Sequence, residues 1–408
     1  MILRLPSGET RILAAIMVII LFVMMGMGMV IPVLSLYADS FGVGAALIGL
    51  VTTAFGIARL VVNLPAGMLA DRFGRRFLLW GGPLILAGAS VGAALAGDFV
   101  ALVTWRFLQG VGSGLYMTGS MIVVADLSTA ANRGRRMAAY QSALLTGAGL
   151  GPAAGGLLAS WWGYAAPFWG FAVVSGLAGL VALAFLPETR PVTPPAPPVT
   201  GKSGGDVAPL IRDGRFVRVA LVTFGIFFTR TAAQWQLIPL VAAWRFGMDP
   251  AHIGTALALS ALAHLAIIPL AGWLVDRYSP RLLISLSAAA VALSLAVLGM
   301  TDSAWLFWAA LVLLGLSLGL GGPAASAFAA SCAPAGRTGA TMGLLRTVGD
   351  AGFVAGPMVV GVVMDIGHTG PGAGLMLNAA LMAAAAAAFV SLPSPPPSSS
   401  LTEEAVLP

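Results

Sequence analysis

The chain has 408 residues, 59% apolar and 9% charged, with 21 basic against 15 acidic side chains and a formal net charge of +6. Its mean hydropathy is +0.95 and its pI about 10.2. A soluble domain is usually about 45–50% apolar and about 25% charged, so an ordinary soluble enzyme is excluded. A nucleic-acid binder is excluded as well, because such proteins cluster their basic residues on a soluble face. One cysteine, Cys332, allows no internal disulfide or thiolate cluster, and His252, His264 and His368 are too scattered for a metal site.

A membrane helix takes roughly 20 mostly apolar residues. Such runs fall near 11–37, 47–70, 77–97, 99–124, 136–160 and 163–186, and again near 216–243, 252–275, 281–300, 303–331, 338–363 and 370–392. They are continuous rather than alternating, which predicts twelve helices and not barrel strands. No removable signal peptide is expected, because the first run is longer than an h-region and has no clear small-residue cleavage site. With the N-terminus placed in the cytoplasm, Arg4, Arg11, Arg72, Arg75, Arg76, Arg133, Arg135, Arg136, Arg190, Lys202, Arg212, Arg215, Arg218, Arg277, Arg281 and Arg337 all fall on that side. The other side keeps Arg245 beside Asp39, Asp98, Asp249, Asp302 and Asp365. This asymmetry predicts a multi-pass plasma-membrane protein with both termini cytoplasmic. It divides the chain into a six-helix bundle (1–186), a Pro-rich cytoplasmic linker (187–215), a second bundle (216–392) and a disordered tail (393–408).

The two halves repeat in register. Asp71 matches Asp276, Gly110 matches Gly315, Gly134 matches Gly339 and Pro152 matches Pro357, always at the same offset. The string GMLADRFGRR answers GWLVDRYSPR, and GPAAGG answers GPMVVG. Paired six-span repeats are characteristic of secondary transporters, in which two bundles rock around a central site.

On these strings the chain resembles the major facilitator superfamily over nearly its whole length, and within it the drug–proton antiporters. The family motif after span two is complete as Gly67, Leu69, Asp71, Arg72, Gly74, Arg75 and Arg76. Its second copy has Ser279-Pro280 where Gly-Arg is expected. The resemblance implies an all-α fold of two pseudo-symmetric bundles, with small molecules and protons as partners in a lipid bilayer, no cofactor, and a monomer. It also implies a cytoplasmic latch in which Asp71 faces span eleven, with Arg72 beside it, while Arg75 reaches Asp126. A plain basic loop is the other reading of these residues. The stretch GAGLGPAAGG resembles the antiporter motif of span five. Gly147, Gly151 and Gly155 share one helix face there and Pro152 bends the helix, although small-residue packing alone also explains the glycines. RFLQGVGSG in span four, with Arg106 and Gln109, resembles another family motif, and a purely structural Arg106 explains it as well. Spans one, four, seven and ten line the cavity in this family, which adds Tyr116, Phe224, Gln234 and Trp235 as candidates.

Ionisable groups inside a membrane are costly and mark function. Arg59, Arg106, Arg230, Arg346, His264 and one carboxylate, Asp350, lie within the spans. Arg59, Arg230, His264 and Asp350 sit 12–13 residues from cytoplasmic markers, about 18–20 Å deep, near the midplane. Asp350 is read as the proton carrier or as a structural ion pair with Arg346, and His264 as a second titrating group or a neutral core residue. The resemblance places span two beside span eleven, so Arg59 and Asp350 are expected to face each other across the two bundles. No acidic residue of span one or four reaches the midplane, so embedded charge disfavours cationic substrates. The expected function is proton-coupled efflux of a small neutral or anionic lipophilic compound. The alternative is a proton-coupled importer of an organic anion or metabolite. The sequence carries no HExxH, GxSxG or phosphate-cradling loop of an enzyme.

Overall fold

The computed structural model describes residues 8–129, 132–188, 208–334 and 337–391. These residues form helices and connecting turns without a β-strand. The first half comprises α1 (Gly8–Asp39), α2 (Ala45–Phe73), α3 (Arg75–Ala94), α4 (Phe99–Asp126), α5 (Arg133–Trp162) and α6 (Ala166–Phe185). The second comprises α7 (Ala208–Arg212), α8 (Gly214–Phe228), a π-helical segment (Thr229–Leu237), α9 (Ile238–Phe246), α10 (Pro250–Arg277), α11 (Pro280–Met300), α12 (Ala304–Ser331), α13 (Thr338–Gly367) and α14 (Pro371–Val390). Helix α8, the π segment and α9 form one continuous seventh span, Gly214–Phe246, so 12 described helices are long and apolar enough to cross a membrane.

Local chemistry sets the helix ends. Asp98 accepts from the Ala101 amide and Asp249 from the His252 amide, both at 2.8 Å, capping α4 and α10. Two differences from the sequence reading are local. The expected linker contains α7, and its Glu188 docks on α3, while residues 189–207 and the expected tail from 392 lie outside the described residues. The seventh span carries nine π-helical residues that no hydrophobic period signals.

Each half has its own apolar core. Ile16, Ile20, Tyr116, Phe168 and Phe171 belong to the first; Leu237, Ile238, Phe307, Leu311 and Leu314 belong to the second. Water does not drive helix association inside lipid, so close packing of small residues carries it. Trp161, Trp162 and Trp305 are 65–76% exposed at one end of the bundle, where interfacial tryptophans anchor a membrane protein.

The halves meet along two antiparallel seams, α2 against α13 and α5 against α10. Along the first, Gly49 faces the Pro357 carbonyl, Thr53 Oγ1 donates to Val354 O at 2.9 Å, and Gly361 faces Ala45. Along the second, Gly156 faces Pro250 and Gly254, and Gly254 faces the Pro152 carbonyl. All these contacts lie toward the aspartate-bearing end. Toward the arginine-rich end the seams part: a Cβ added at Gly67, Gly272 or Gly343 would meet nothing within 4 Å. Val61 and Met68 there are 60% and 61% exposed. The molecule is closed at its aspartate-bearing end and open at its arginine-rich end.

Candidate functional site

Where the α2–α13 seam gives way to the opening, the two halves exchange charge. Residues 49, 53, 56 and 59 follow helical three- and four-residue steps along α2, so Arg59 extends the stripe that packs on α13. Its Nη2 donates to Asp350 Oδ1 at 3.1 Å. Arg346, one turn before Asp350, donates through Nε to Oδ2 at 3.3 Å. One carboxylate therefore holds two guanidinium groups, one from each half. The Arg59 and Asp350 side chains are 14% and 10% exposed, whereas Arg346 is 58% exposed toward the opening. Arg59 also lies over the Phe353 ring at 4.6 Å and Arg346 over Phe227 at 5.3 Å.

Above this charge cluster sits an apolar plug drawn from both halves. Phe55, Trp235 and Phe353 form its buried centre, with Met27 and Ile31 of α1 against it. Trp235 and Phe353 meet edge to face at 5.2 Å. Arg230 lies on the π segment within electrostatic reach of Arg59 and Arg346, and His264 of α10 feels Arg230. The His264 ring makes no hydrogen bond among the described residues. Gln234 donates to Ser260 Oγ at 3.4 Å. Two shallow clefts of about 380 and 320 Å³ open elsewhere on the molecule, and neither touches this cluster.

Other candidates lie apart from it. Arg106 is 3% exposed and Gln109 and Tyr116 are fully buried, so these three are packed inside the first half rather than open to the central space. Arg106 Nη1 donates to Gln109 Oε1 at 2.7 Å, Gln109 Nε2 donates to Ser90 Oγ at 2.7 Å, and Arg106 lies over Phe55 at 4.8 Å. Phe224 packs on Phe228 within the second half. For Arg106, Gln109 and Tyr116 the reason is packing: small residues on α3 and α4, such as Gly82 and Gly112, bring the backbones close and close the space around α4. Gly147, Gly151 and Gly155 face Leu21, Gly28 and Met29 of α1, so their stripe is a seam within the first half. Their neighbours Gly149, Pro152 and Gly156 touch the second half, and α5 runs unbroken through Pro152.

At the arginine-rich end the motif builds a corner. Gly74 has φ +93°, outside the range ordinary side chains prefer, and ends α2. A Cβ there would also strike the Glu188 carboxylate. That carboxylate accepts from the Arg75 and Arg76 amides at 2.9 and 3.3 Å, capping α3. Arg75 Nε donates to Asp126 Oδ2 at 3.2 Å, and Arg76 Nη2 to Leu183 O at 2.7 Å. The Arg75–Asp126 pair joins α3 to α4 within one half and forms while this end is open. It therefore organises the corner and does not itself bridge the halves. Arg72 is exposed. The Asp71 side chain lies outside the described residues.

The aspartate-bearing end holds a bridge that sequence reading missed. Asp365, near the end of α13, accepts from the Ala45 and Ala46 amides at 2.8 and 2.9 Å. A carboxylate from one half thus caps a helix of the other, where the helix dipole favours it. An acidic residue at the end of a span was the only sequence signal.

The model of the Major Facilitator Superfamily matches residues 16–244 and 219–407. The chain is 24% identical over 354 residues to multidrug resistance protein 2 of Bacillus subtilis, covering 84% of this chain and 86% of that protein. It is 23% identical over 351 residues to the quinolone resistance protein NorA of Staphylococcus aureus, covering 85% and 88%. Identity to the inner membrane transport protein YajR of Escherichia coli is 35%, over 33% of this chain and 30% of YajR's length. Among solved structures, a bacterial homologue of the lysosomal transporter Spinster, in an inward-facing and occupied conformation, superposes with a TM-score of 0.78 at 14% identity, covering 95% of this chain and 97% of that one. The D-xylose–proton symporter superposes with a TM-score of 0.76 at 16% identity, covering 94% and 98%. The match to the family along nearly the whole chain, on an all-helical fold of twelve membrane-crossing helices, makes this protein a member of the major facilitator superfamily, a multi-pass membrane transporter of small molecules and not an enzyme.

Proposed function

We propose that the chain exports small lipophilic compounds, neutral or anionic, in exchange for protons, with the arginine-rich end and both termini in the cytoplasm. The opening then faces inward, and substrate enters from the cytoplasm or inner leaflet. One observation carries the reading: Asp350 is bonded across the two halves to Arg59 at 3.1 Å and within its own helix to Arg346 at 3.3 Å. While Asp350 is charged, the Arg59 pair holds α2 and α13 together at mid-depth. Protonation cancels that attraction and lets the halves rock; re-solvation from the other side releases the proton. The likeness to drug-resistance proteins along 84–85% of the chain supports an exported, drug-like substrate. Asp71 is the proposed latch residue for the opposite state.

The test is pH-jump-driven transport in proteoliposomes. Asp350→Asn is expected to abolish accumulation against a gradient and to spare exchange down a gradient. Unimpaired accumulation moves coupling elsewhere, with His264 next in line. Sidedness in oriented vesicles decides direction, since pH-driven uptake into the cytoplasmic compartment overturns export.

A further inference from the structure

Arg106 and Arg230 show two ways of holding a guanidinium inside the bundle. Arg106 is 3% exposed and held by an amide oxygen at 2.7 Å and an aromatic face at 4.8 Å, with its Nε left without a partner. Arg230 is only partly buried, and among the described residues it has no hydrogen bond and no ion pair. Several polar side chains around it are paired with one another rather than with it. On the same π segment, Thr229 Oγ1 donates to Asn378 Oδ1 at 2.9 Å and Thr231 Oγ1 to Phe353 O at 3.0 Å. Gln234 bonds Ser260 at 3.4 Å, and Gln236 Nε2 donates to Ala45 O at 3.3 Å. The Asp350 carboxylate is bonded to Arg59 through Oδ1 and to Arg346 through Oδ2, and not to Arg230. Three arginines within electrostatic reach of one another and one aspartate leave a formal charge of +2. An uncompensated cation at this depth is costly and calls for an anion. The π segment is a second, independent pointer, since such segments are rare and recur at functional sites.

We propose that Arg230 receives the anionic head of an amphipathic organic anion, a carboxylate or sulfonate on an aromatic or branched apolar body. The body lies against the Trp235–Phe353 plug, and Arg346 supplies a second charge from the open side. This deepens the transporter reading above and rests on it. The open arginine-rich end gives such an anion its route in. The apolar plug selects for a greasy body over a free inorganic ion.

The test is isothermal titration of the purified full chain, in zwitterionic-lipid nanodiscs and chloride-free gluconate buffer. The probes are naphthalene-2-sulfonate, the neutral naphthalene-2-sulfonamide and the cation 2-naphthylmethylammonium. The sulfonate is expected to bind tightest, by about tenfold or more over the sulfonamide, since a charge-assisted hydrogen bond is at stake. Arg230→Gln is expected to erase that preference, chiefly by weakening the sulfonate, and a thermal melt of the variant matching wild type shows that it is folded. Arg230→Lys keeps the charge without the planar fork and is expected to retain part of the preference. The proposal is overturned if the sulfonamide or the ammonium binds as tightly as the sulfonate. It is overturned equally if no probe binds, or if Arg230→Gln or Arg230→Lys keeps the full preference. Binding asks nothing of protons or direction. Anion preference in a protein whose transport ignores pH would sink the exchange reading and leave this site standing.

Discussion

Asp350 satisfies Arg59 and Arg346 with one carboxylate, so its loss is felt on both sides of the seam. Breaking a buried pair costs roughly 3–5 kcal/mol, and less where one partner is solvated. Arg346 is 58% exposed, so Asp350→Asn is expected to lower the melting temperature measurably without unfolding the protein. A melting temperature equal to wild type would show that the pair contributes nothing to this state. Glu188 acts at a distance from the charge cluster. Glu188→Ala removes the acceptor for two amides at the start of α3 and is expected to cost about 1 kcal/mol in a thermal melt. Asp249 supplies the pH-dependent case. The amide of His252, and then its ring, hold the Asp249 carboxyl below the usual carboxylate range. A depressed folded value means that the cap contributes fully above the ordinary Asp range and is lost as pH falls through the lowered value. The difference in stability between wild type and Asp249→Ala is therefore expected at neutral pH and should shrink in acid; a difference that grows in acid would contradict the capping geometry.

Among the elements, the two seams decide which end is shut. Gly156 packs against Pro250 and Gly254 so closely that one methyl group forces α5 from α10. Gly156→Ala is expected to favour opening at the aspartate-bearing end. Spin labels on Ala96→Cys and Thr301→Cys, in a Cys332→Ser background, would report a longer distance between the halves. Gly67→Ala meets open space in this state and is expected to leave that distance unchanged. Asp365 closes the same end by a different force. Replacing it with alanine removes two charge-assisted bonds across the halves, worth about 1 kcal/mol, which moves a two-state ratio about fivefold. An unchanged distance distribution in Asp365→Ala would remove the bridging role.

For the whole molecule, the two ends carry related devices. At the arginine-rich end, Gly74 and Glu188 set the α2–α3 corner and Arg75 ties it to Asp126. At the other end, Asp365 of one half caps α2 of the other. The same physics, a carboxylate at a helix N-terminus, thus joins elements within a half at one end and between halves at the other. Rocking breaks only the second kind, so the corner travels as part of a rigid half. The open end also explains how a net positive cluster persists at mid-depth, since Arg346 reaches solvent while Arg59 and Arg230 are more enclosed.

The sequence by itself determined the helices, because burying backbone in lipid demands long apolar runs, and those runs are visible residue by residue. It determined the two-bundle repeat through the constant offset from Asp71 to Asp276 and from Pro152 to Pro357. The pairs Arg346–Asp350, Arg75–Asp126 and Arg59–Asp350 were also legible, the first from helical spacing, the second from a family motif and the third from matching depth on spans that border each other in the resembled family. Tertiary structure alone decided the rest. Arg106 and Tyr116 read as cavity residues, yet close packing of α3 on α4 buries them, and no single-helix period reports a neighbour's proximity. The π segment escaped notice because an extra residue per turn leaves no apolar signature in a span buried on most sides. The bridge from Asp365 to α2 joins residues some 320 apart, and only the state in which the aspartate-bearing end is closed brings them together.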